Sequence, residues 1–214
     1  MTYGWVQDQV LKLLNQYSIG GASVPTTYNN QADFINRIPS LVNDAIMEIA
    51  TTAKKIPATV ELSGLYYDEV GEYKRYRLPQ NFYQPQTGSV VLTADGKRLH
   101  TNQYRLEGRD YVLIPKDVDG AYSLAYYRYP ALLPGGEANI ATLWKTPLDN
   151  AEETHMAIPF YVASFLLADS DAFRCSLFYN KYEDKLAKMA TGISVEVVPV
   201  EDAYLTDWSG NGVY

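Results

Sequence analysis

Two histidines and one cysteine are the side chains of this sequence most suited to acid–base or nucleophilic chemistry. His100 falls in a predicted β-hairpin and His155 on a predicted helix, and neither lies in a recognisable motif. A single histidine without a motif is more often structural than catalytic. Cys175 lies within a predicted helix and has no sequence signature of a nucleophile, so a small buried apolar role is expected.

An acidic turn and a double glycine are the places where the chain could hold an ion or a phosphate. The stretch DVDG at 117–120 resembles the start of a calcium loop, but Arg128 occupies the twelfth position, where a bidentate glutamate is required. Gly20 and Gly21 lack the following lysine and hydroxyl residue of a phosphate-binding loop. The sequence therefore predicts no metal site and no cofactor.

Carboxylate pairs are the remaining candidates for acid–base work. Glu152 with Glu153, and Asp169 with Asp171, stand where helix ends and solvated helix faces ordinarily carry acidic residues. A glycosidase pair is assembled in space rather than along the chain, so that alternative stays open, although no pair stands out. With no catalytic residue indicated, the protein is predicted not to be an enzyme.

Charge is unevenly distributed along the 214 residues. Residues 1–130 carry 13 acidic and 13 basic side chains, residues 131–190 carry 8 and 5, and residues 191–214 carry 4 and none, so the net charge of −7 arises late in the chain. A surface that grips DNA needs clustered lysine and arginine to neutralise phosphates. The basic residues Lys74, Arg75 and Arg77 are matched by acidic residues just before them, which argues against a DNA-binding surface at this position.

Composition bounds the class of protein. The 19 tyrosines against 6 phenylalanines suit surfaces that become buried on assembly, or equally a tyrosine-rich sheet and core. The single cysteine excludes an internal disulfide framework and fits a reducing compartment. No apolar run approaches a membrane span and the start lacks the pattern of a leader peptide, so we expect a soluble, unprocessed chain without a membrane partner.

Hydrophobic periodicity predicts helices at both ends of the chain. Apolar residues recur at helical spacing over 4–17 and over 31–53, where Pro39 either kinks the helix or marks its first turn. Helical spacing returns after Asp149, a predicted N-cap, and again over 172–190. The last helix is predicted to carry on one side Phe173, Leu177, Leu186 and Met189.

The middle of the chain has the alternation of strands. YKRYR at 73–77 is predicted to be an edge or hairpin strand that ends at Leu78-Pro79. A hairpin turn is predicted at Asp95-Gly96, and two further strands over 111–114 and 122–129. The fold class is thus α+β, with a helical bundle formed by the N- and C-terminal helix pairs, a β-rich insertion and an extended C-terminal arm. The predicted units are 1–58, 59–130, 131–190 and 191–214.

The C-terminal arm is both acidic and apolar. Its composition is too apolar for a free disordered end, yet 24 residues are too few for a core of their own. The arm either folds back on its own domain or is held by another chain, and we favour the second. Its candidate anchors at an interface with another chain are Tyr204, Leu205, Trp208 and Tyr214.

Several segments resemble, in their order and in their pattern of residues, the sequences of one protein family. The segments are ADFINRIPSLVNDAIMEIATTAKKIPA, RYRLPQNF, AYSLAYYRYPALL, TPLDNAEETHMAIPFYVASFLLADSD and FRCSLFYNKYEDKLAKM. In this order they resemble the head-to-tail adaptor, or neck, proteins of tailed bacteriophages, in particular the tubular-tail and tail-accessory adaptors of podoviruses. The resemblance spans residues 3–190 and includes no catalytic signature.

The resemblance implies a homo-oligomeric ring, usually of twelve copies, made in the bacterial cytoplasm and built into the virion neck. Its partners would be the portal protein above and a tail or nozzle protein below, with double-stranded DNA passing through without specific binding. The β-rich insertion would contact neighbours, with candidate residues Tyr73, Tyr76, Phe82 and Tyr83. Candidate residues of an acidic channel lining are Glu152, Glu153, Asp169, Asp171, Glu183 and Asp184.

Two alternatives to the adaptor remain open. A carbohydrate-binding or other tail-associated β module would present an exposed aromatic platform, for which the candidate rings are Tyr66, Tyr67, Tyr76, Phe82 and Tyr83. An enzyme of unrecognised type would instead bring polar groups together in a deep pocket.

Overall fold

Along the chain, helices come first and last and two antiparallel sheets lie between them, so the fold class is α+β. The computed structural model describes residues 1–14, 29–94, 97–101, 103–117, 120–134 and 140–190. The helices are α1 (Tyr3–Leu13), α2 (Asn29–Glu48), α3 (Ile140–Lys145), α4 (Ile158–Leu167) and α5 (Ala172–Ala190). A π-helical turn, Ile49–Ala53, extends α2, and a 3-10 turn, Glu152–Met156, precedes α4.

Helix α4 is the centre of the helical part because its sequence, IPFYVASFLL, is apolar on almost every side. All of its residues except Phe160 and Phe165 are buried. Its buried Ser164 donates its hydroxyl to the Tyr161 carbonyl oxygen at 2.7 Å, so burial does not leave this hydroxyl proton unpaired. Helices α1, α2 and α5 all contact α4 and share one apolar core with it.

The predicted helical bundle of N- and C-terminal helix pairs is wrong. That prediction assumed that each helix has one apolar side and that the two helix pairs bury these sides against each other. Helix α4 instead has only 10 residues, and other elements enclose it on nearly every side. Helix α1, with 11 residues, packs mainly against α4 and much less against α2. Pro39 lies inside α2, so the alternative in which it marks the first turn is also wrong.

Within the described residues, eight strands form two four-stranded antiparallel sheets. The strands are β1 (Ile56–Glu61), β2 (Tyr66–Val70), β3 (Tyr73–Arg77), β4 (Phe82–Ala94), β5 (Lys97–Thr101), β6 (Arg105–Glu107), β7 (Tyr111–Pro115) and β8 (Ala121–Arg128). The first sheet has the order β1-β8-β4-β5 and the second has the order β2-β3-β7-β6. The predicted turn at Asp95-Gly96 lies outside the described residues.

Strand β3 has the bounds that the sequence predicts. It begins after the two-residue turn Gly71-Glu72, in which Gly71 has a φ of 56°, a left-handed conformation that glycine adopts without strain. It ends before Leu78 and Pro79, because proline has no N–H to continue the ladder. The chain then crosses to the first sheet, with the Leu78 N–H donating to the Asp110 carbonyl oxygen at 2.7 Å.

The two sheets pack face to face around a second apolar core. Tyr76, Val112 and Ile114 point inward from the second sheet and meet Tyr122 and Leu124 of the first. The ring centroids of Tyr76 and Tyr122 are 6.5 Å apart. Because successive side chains of a strand point to opposite faces, this inward set fixes which residues point outward.

Arg128 and Asp149 join the end of the sheets to the helices. The Arg128 guanidinium donates from Nη1 to Asp149 Oδ2 at 2.5 Å and from Nη2 to Oδ1 at 2.7 Å, and the Ala131 N–H donates to Oδ2 at 2.6 Å. Arg128's hydrogen bonds, the largest effect, hold the pKa of the Asp149 carboxyl below its usual value. The predicted N-cap role of Asp149 is therefore wrong, because its carboxylate is engaged by the end of β8.

Asn43 of α2 fixes the same connecting segment from the other side. Its side-chain amide donates to the Leu133 carbonyl oxygen at 3.2 Å, and its carbonyl oxygen accepts the Leu133 N–H at 2.8 Å. Leu133 itself is buried in the helical core. The segment that leaves the sheets is thus held between α2 and Asp149.

Asp149→Asn should lower the free energy of unfolding by about 2 kcal/mol at pH 7, because it leaves a partly buried guanidinium without its carboxylate. The depressed pKa of Asp149 means that this stabilisation is present above the unfolded-state value of about 3.9 and is lost as pH falls through the lower folded value. Urea unfolding across pH 3–7 should show the gap between the wild type and the variant closing at the acid end.

The matched control is Asp8→Asn, which breaks an exposed pair with Lys12 at 3.5 Å and should change stability by about 0.5 kcal/mol or less. Equal losses in the two variants would contradict the assigned role of Asp149.

Candidate functional site

The outward face of the second sheet gathers arginine and tyrosine side chains. Tyr76, Val112 and Ile114 point into the core, so the residues that alternate with them on β3 and β7 point outward. Pairing with β2 and β6 adds their outward residues to the same surface. We call this surface the outer sheet face; it comprises Tyr67, Asp68, Tyr73, Arg75, Arg77, Arg105, Glu107, Tyr111 and Leu113.

Arg75 is the organising residue of the outer sheet face. Its Nε and Nη2 atoms donate to Asp68 Oδ1 at 2.7 Å and Oδ2 at 2.6 Å, a bidentate arrangement. Its Nη1 atom donates to Glu107 Oε2 at 3.1 Å. One guanidinium therefore ties β2, β3 and β6 together.

Two tyrosine rings flank the Arg75 guanidinium. Its central carbon lies 4.6 Å from the ring centroid of Tyr111 and 5.3 Å from that of Tyr67, within cation–π range. The two tyrosine centroids are 5.2 Å apart. Tyr67 nevertheless remains 53% exposed, so much of its ring is open to a partner.

These contacts fix the protonation states of the cluster. The hydrogen bond from Arg75 is the main reason why the pKa of Asp68 lies below its usual value, and the bonds to Asp68 and then Glu107 raise the pKa of Arg75. Burial, followed by a hydrogen bond with Tyr67, raises the pKa of Tyr111. At neutral pH Asp68 is therefore an anion, Arg75 a cation and Tyr111 a neutral phenol, which suits binding rather than proton transfer.

Arg77 and Arg105 give the outer sheet face its available positive charge. Both are exposed, and no carboxylate of the described residues forms an ion pair with either. The Arg105 guanidinium carbon lies 6.0 Å from the ring centroid of Tyr73. These two arginines can therefore pair with anionic groups of a partner without breaking a salt bridge between described residues.

The four aromatic residues predicted for a subunit interface separate into different environments. Tyr73 is on the outer sheet face, whereas Tyr76 and Phe82 are in the core between the sheets. Tyr83 packs on Tyr129 with ring centroids 5.0 Å apart, and its hydroxyl donates to the Thr51 carbonyl oxygen at 3.4 Å. Of the four, Tyr73 is the one that the structure places on the outer sheet face.

The rings predicted for a sugar-binding platform are likewise not brought onto one surface. Tyr76 and Phe82 are buried, and the Tyr66 ring meets the Tyr76 ring edge-on at 5.8 Å. A bulge between Tyr66 and Asp68 lets Tyr67 reach the outer sheet face instead. The five rings therefore form no single exposed platform.

Helix α5 carries a second exposed apolar feature, Phe173 and Leu177, which we call the α5 outer stripe. Phe173 is 77% exposed and Leu177 is 40% exposed. The buried side of α5 is formed by Phe178 and Tyr182 instead. The predicted single apolar side of this helix is therefore wrong, because the helix has two apolar stripes on opposite sides.

The six acidic residues predicted for a channel lining differ in their contacts. Glu153 pairs with Lys54 at 3.3 Å, and Asp171 Oδ1 accepts the Arg174 N–H at 3.0 Å at the start of α5. The other four are exposed, and none forms an ion pair with another described residue; these are Glu152, Asp169, Glu183 and Asp184. Tyr204, Leu205, Trp208 and Tyr214 of the predicted arm lie outside the described residues.

The three residues suited to chemistry lie in different elements of the fold. His155 is buried in the 3-10 turn before α4, Cys175 is half-buried on α5, and the side chain of His100 lies outside the described residues. Across the described ranges no group of three histidine, cysteine, aspartate or glutamate side chains is placed to hold a metal ion.

None of the described helices is long and apolar enough to cross a bilayer.

Comparisons with known proteins add no assignment: the sequence matches no protein-family model and no curated protein. The Arg75 cluster was missed by sequence reasoning, which counted the charges of YKRYR without separating its two faces. The period-2 alternation of the strand was the signal that could have placed Tyr73, Arg75 and Arg77 together.

His155 makes the stability of the protein pH-dependent. Its Nδ1 atom lies 3.1 Å from the Met1 amine and its Nε2 atom has no partner among the described residues. Burial, and then the positive amine, lower its pKa, against weaker opposing effects of the Asn150 backbone and then of Glu152 and Glu153. In the unfolded chain His155 therefore binds a proton with a pKa of about 6.5, whereas in the folded chain it binds one only at lower pH.

The wild type should consequently lose stability as pH falls from 7 through the depressed folded pKa of His155. The slope from this one proton is at most about 1.4 kcal/mol per pH unit. Urea unfolding of the wild type and of His155→Gln between pH 7 and pH 5 measures it, and the variant should show the flatter dependence. Identical slopes would contradict the burial of an uncharged His155.

Proposed function

We propose that the protein is a structural ring subunit of a tailed-bacteriophage particle, a head-to-tail adaptor between the portal and the tail. The ordered resemblance of residues 3–190 to that family supports the proposal. In this role the protein binds copies of itself, the portal above and a tail or nozzle component below. It is not an enzyme, and DNA passes through its channel without being held.

The observation that carries the proposal is the exposure of the α5 outer stripe. A large aromatic side chain that is 77% exposed on a regular helix, with an exposed leucine one turn later, gains by being covered. Phe173 and Leu177 are four residues apart, so they lie side by side on the helix surface. Contact with another chain would remove this area from water.

A closed ring requires two different surfaces on each subunit. In a head-to-tail assembly one face of a subunit meets a different face of the next. The α5 outer stripe and the outer sheet face are chemically unlike, one apolar and the other rich in tyrosine and arginine. The protein therefore carries two unlike exposed surfaces, as a heterologous assembly requires of each subunit.

The exposed acidic residues suit a channel through which DNA slides. Glu152, Asp169, Glu183 and Asp184 would repeat in every subunit, so each position would form a belt of negative charge. Such a belt repels phosphates over about 10 Å at 0.1 M salt.

Phe173→Asp should weaken self-association of the full chain about thirtyfold or more, since loss of an interface aromatic costs about 2 kcal/mol or more. Sedimentation velocity over a range of protein concentrations measures the association, and the melting of the circular dichroism signal reports on the monomer. We expect the variant to shift toward the monomer with unchanged melting, because Phe173 contributes little to the fold.

The control is Asn36→Asp, which places the same charge on an exposed position of α2 and should leave association unchanged. If the wild type remains monomeric at all concentrations, the ring proposal fails. If Phe173→Asp associates like the wild type, the α5 outer stripe is not the interface.

A further inference from the structure

The outer sheet face is a positively charged, aromatic surface that no other described element covers. Arg77 and Arg105 are exposed and form no ion pair with a described carboxylate, while Arg75 is already neutralised by Asp68 and Glu107. Tyr67 is half exposed, and Leu113 lies on the same surface. A matching ligand would supply two or more carboxylates spaced among apolar side chains.

Residues 191–214 of the chain have this chemistry. They contain four carboxylates and no basic side chain, and the carboxylates are interspersed with apolar and aromatic residues. The acidic residues are Glu196, Glu201, Asp202 and Asp207, and the large apolar residues among them include Tyr204, Leu205 and Trp208. Carboxylates pair with guanidinium groups by two parallel hydrogen bonds, and indole or phenol rings pack on exposed tyrosine.

We propose that residues 191–214 of one copy bind the outer sheet face of a second copy. Arg77 and Arg105 pair with the carboxylates of the segment, and Tyr67, Tyr73 and Leu113 contact its apolar residues. Arg75 acts as a positioning residue that holds Tyr67 and Tyr111 in place. The inference rests on the proposed self-assembly and names the surface that receives the segment.

Length allows the segment to reach a neighbour. It follows directly after α5, and 24 residues span up to about 80 Å when extended. An extended terminal segment that adds to the next subunit is a general way of securing a head-to-tail contact. Because the segment is acidic and the receiving face is basic, the contact has a defined direction from one copy to the next.

Nucleic acid is the competing ligand for a surface of arginine and tyrosine. On the outer sheet face, however, Asp68 and Glu107 neutralise Arg75, so two of its three arginines remain available to a phosphate backbone. Affinity for a phosphate backbone grows with the number of available cations that meet it. The two arginines that remain available, Arg77 and Arg105, serve a short acidic peptide better than a polynucleotide.

The direct test is the binding of a fluorescein-labelled peptide of residues 191–214 to the full chain, followed by fluorescence anisotropy. The host chain carries Glu201→Lys, Asp202→Lys and Asp207→Lys, so that its own segment does not compete. The peptide should bind this host, and adding Arg77→Glu and Arg105→Glu should weaken binding about tenfold or more. Host reversals at Lys12→Glu and Lys181→Glu, both exposed positions elsewhere, should leave it unchanged.

A rescue separates pairing from general charge effects. A second labelled peptide carries lysine at the same three acidic positions. It should bind the host that carries Arg77→Glu and Arg105→Glu better than it binds the host without these two substitutions. Equal binding of the acidic peptide to both hosts, or no binding to either, overturns the proposal.

A labelled single-stranded DNA is the probe for the competing ligand. We expect the wild type to bind it no better than the chain with Arg77→Glu and Arg105→Glu. If the wild type binds this DNA and the two substitutions abolish the binding, the outer sheet face belongs to nucleic acid and the proposal is overturned.

Sedimentation of the full-length chains decides between a second copy and the same copy. Reversal of the face or of the segment should each weaken association, and the two reversals together should restore it. If they lower the melting temperature without changing association, the segment binds its own chain and the second-copy proposal is wrong. If peptide binding fails while Phe173→Asp still weakens association, the ring proposal stands and this inference alone is lost.

Discussion

The burial of α4 is the constraint on which the rest of the structure depends. A helix of ten residues that is apolar on nearly every side is stable only when other elements enclose it. Helices α1 and α2 from the start of the chain, and α5 from its end, provide that enclosure. The β-rich middle of the chain must therefore leave the helical part and return to it.

Polar contacts, rather than the apolar core, hold the segment in which the chain returns from the sheets to the helices. Arg128, at the end of β8, binds Asp149 ahead of α4, and Asn43 of α2 binds the backbone of Leu133 between them. These contacts satisfy the backbone of a segment that has no regular structure of its own. They tie the sheets to the helices at one place and leave the outer sheet face and the α5 outer stripe facing away from both cores.

How far the sequence predicts the fold depends on how local each signal is. The bounds of β3 and of α5 follow from alternation, proline and periodicity within a few residues, and the structure matches them. The role of Asp149 could not be predicted, because its partner Arg128 is 21 residues away in sequence. The helical bundle was mispredicted for a related reason: periodicity shows which residues are apolar but not how many neighbours a helix has. The surface residues could not be predicted for the same reason. Only the observed core shows that Tyr76 is buried while Arg75 points outward, and that Phe173 is exposed while other apolar residues of α5 are buried.

Electron microscopy of the purified full-length protein tests the central claim, self-assembly into a ring, most directly. We expect closed particles with a central opening, whose mass is an integral multiple of 24.1 kDa. Class averages would give the number of subunits without any assumption about symmetry. Particles of monomer mass at every concentration, or compact dimers without an opening, would contradict self-assembly into a ring.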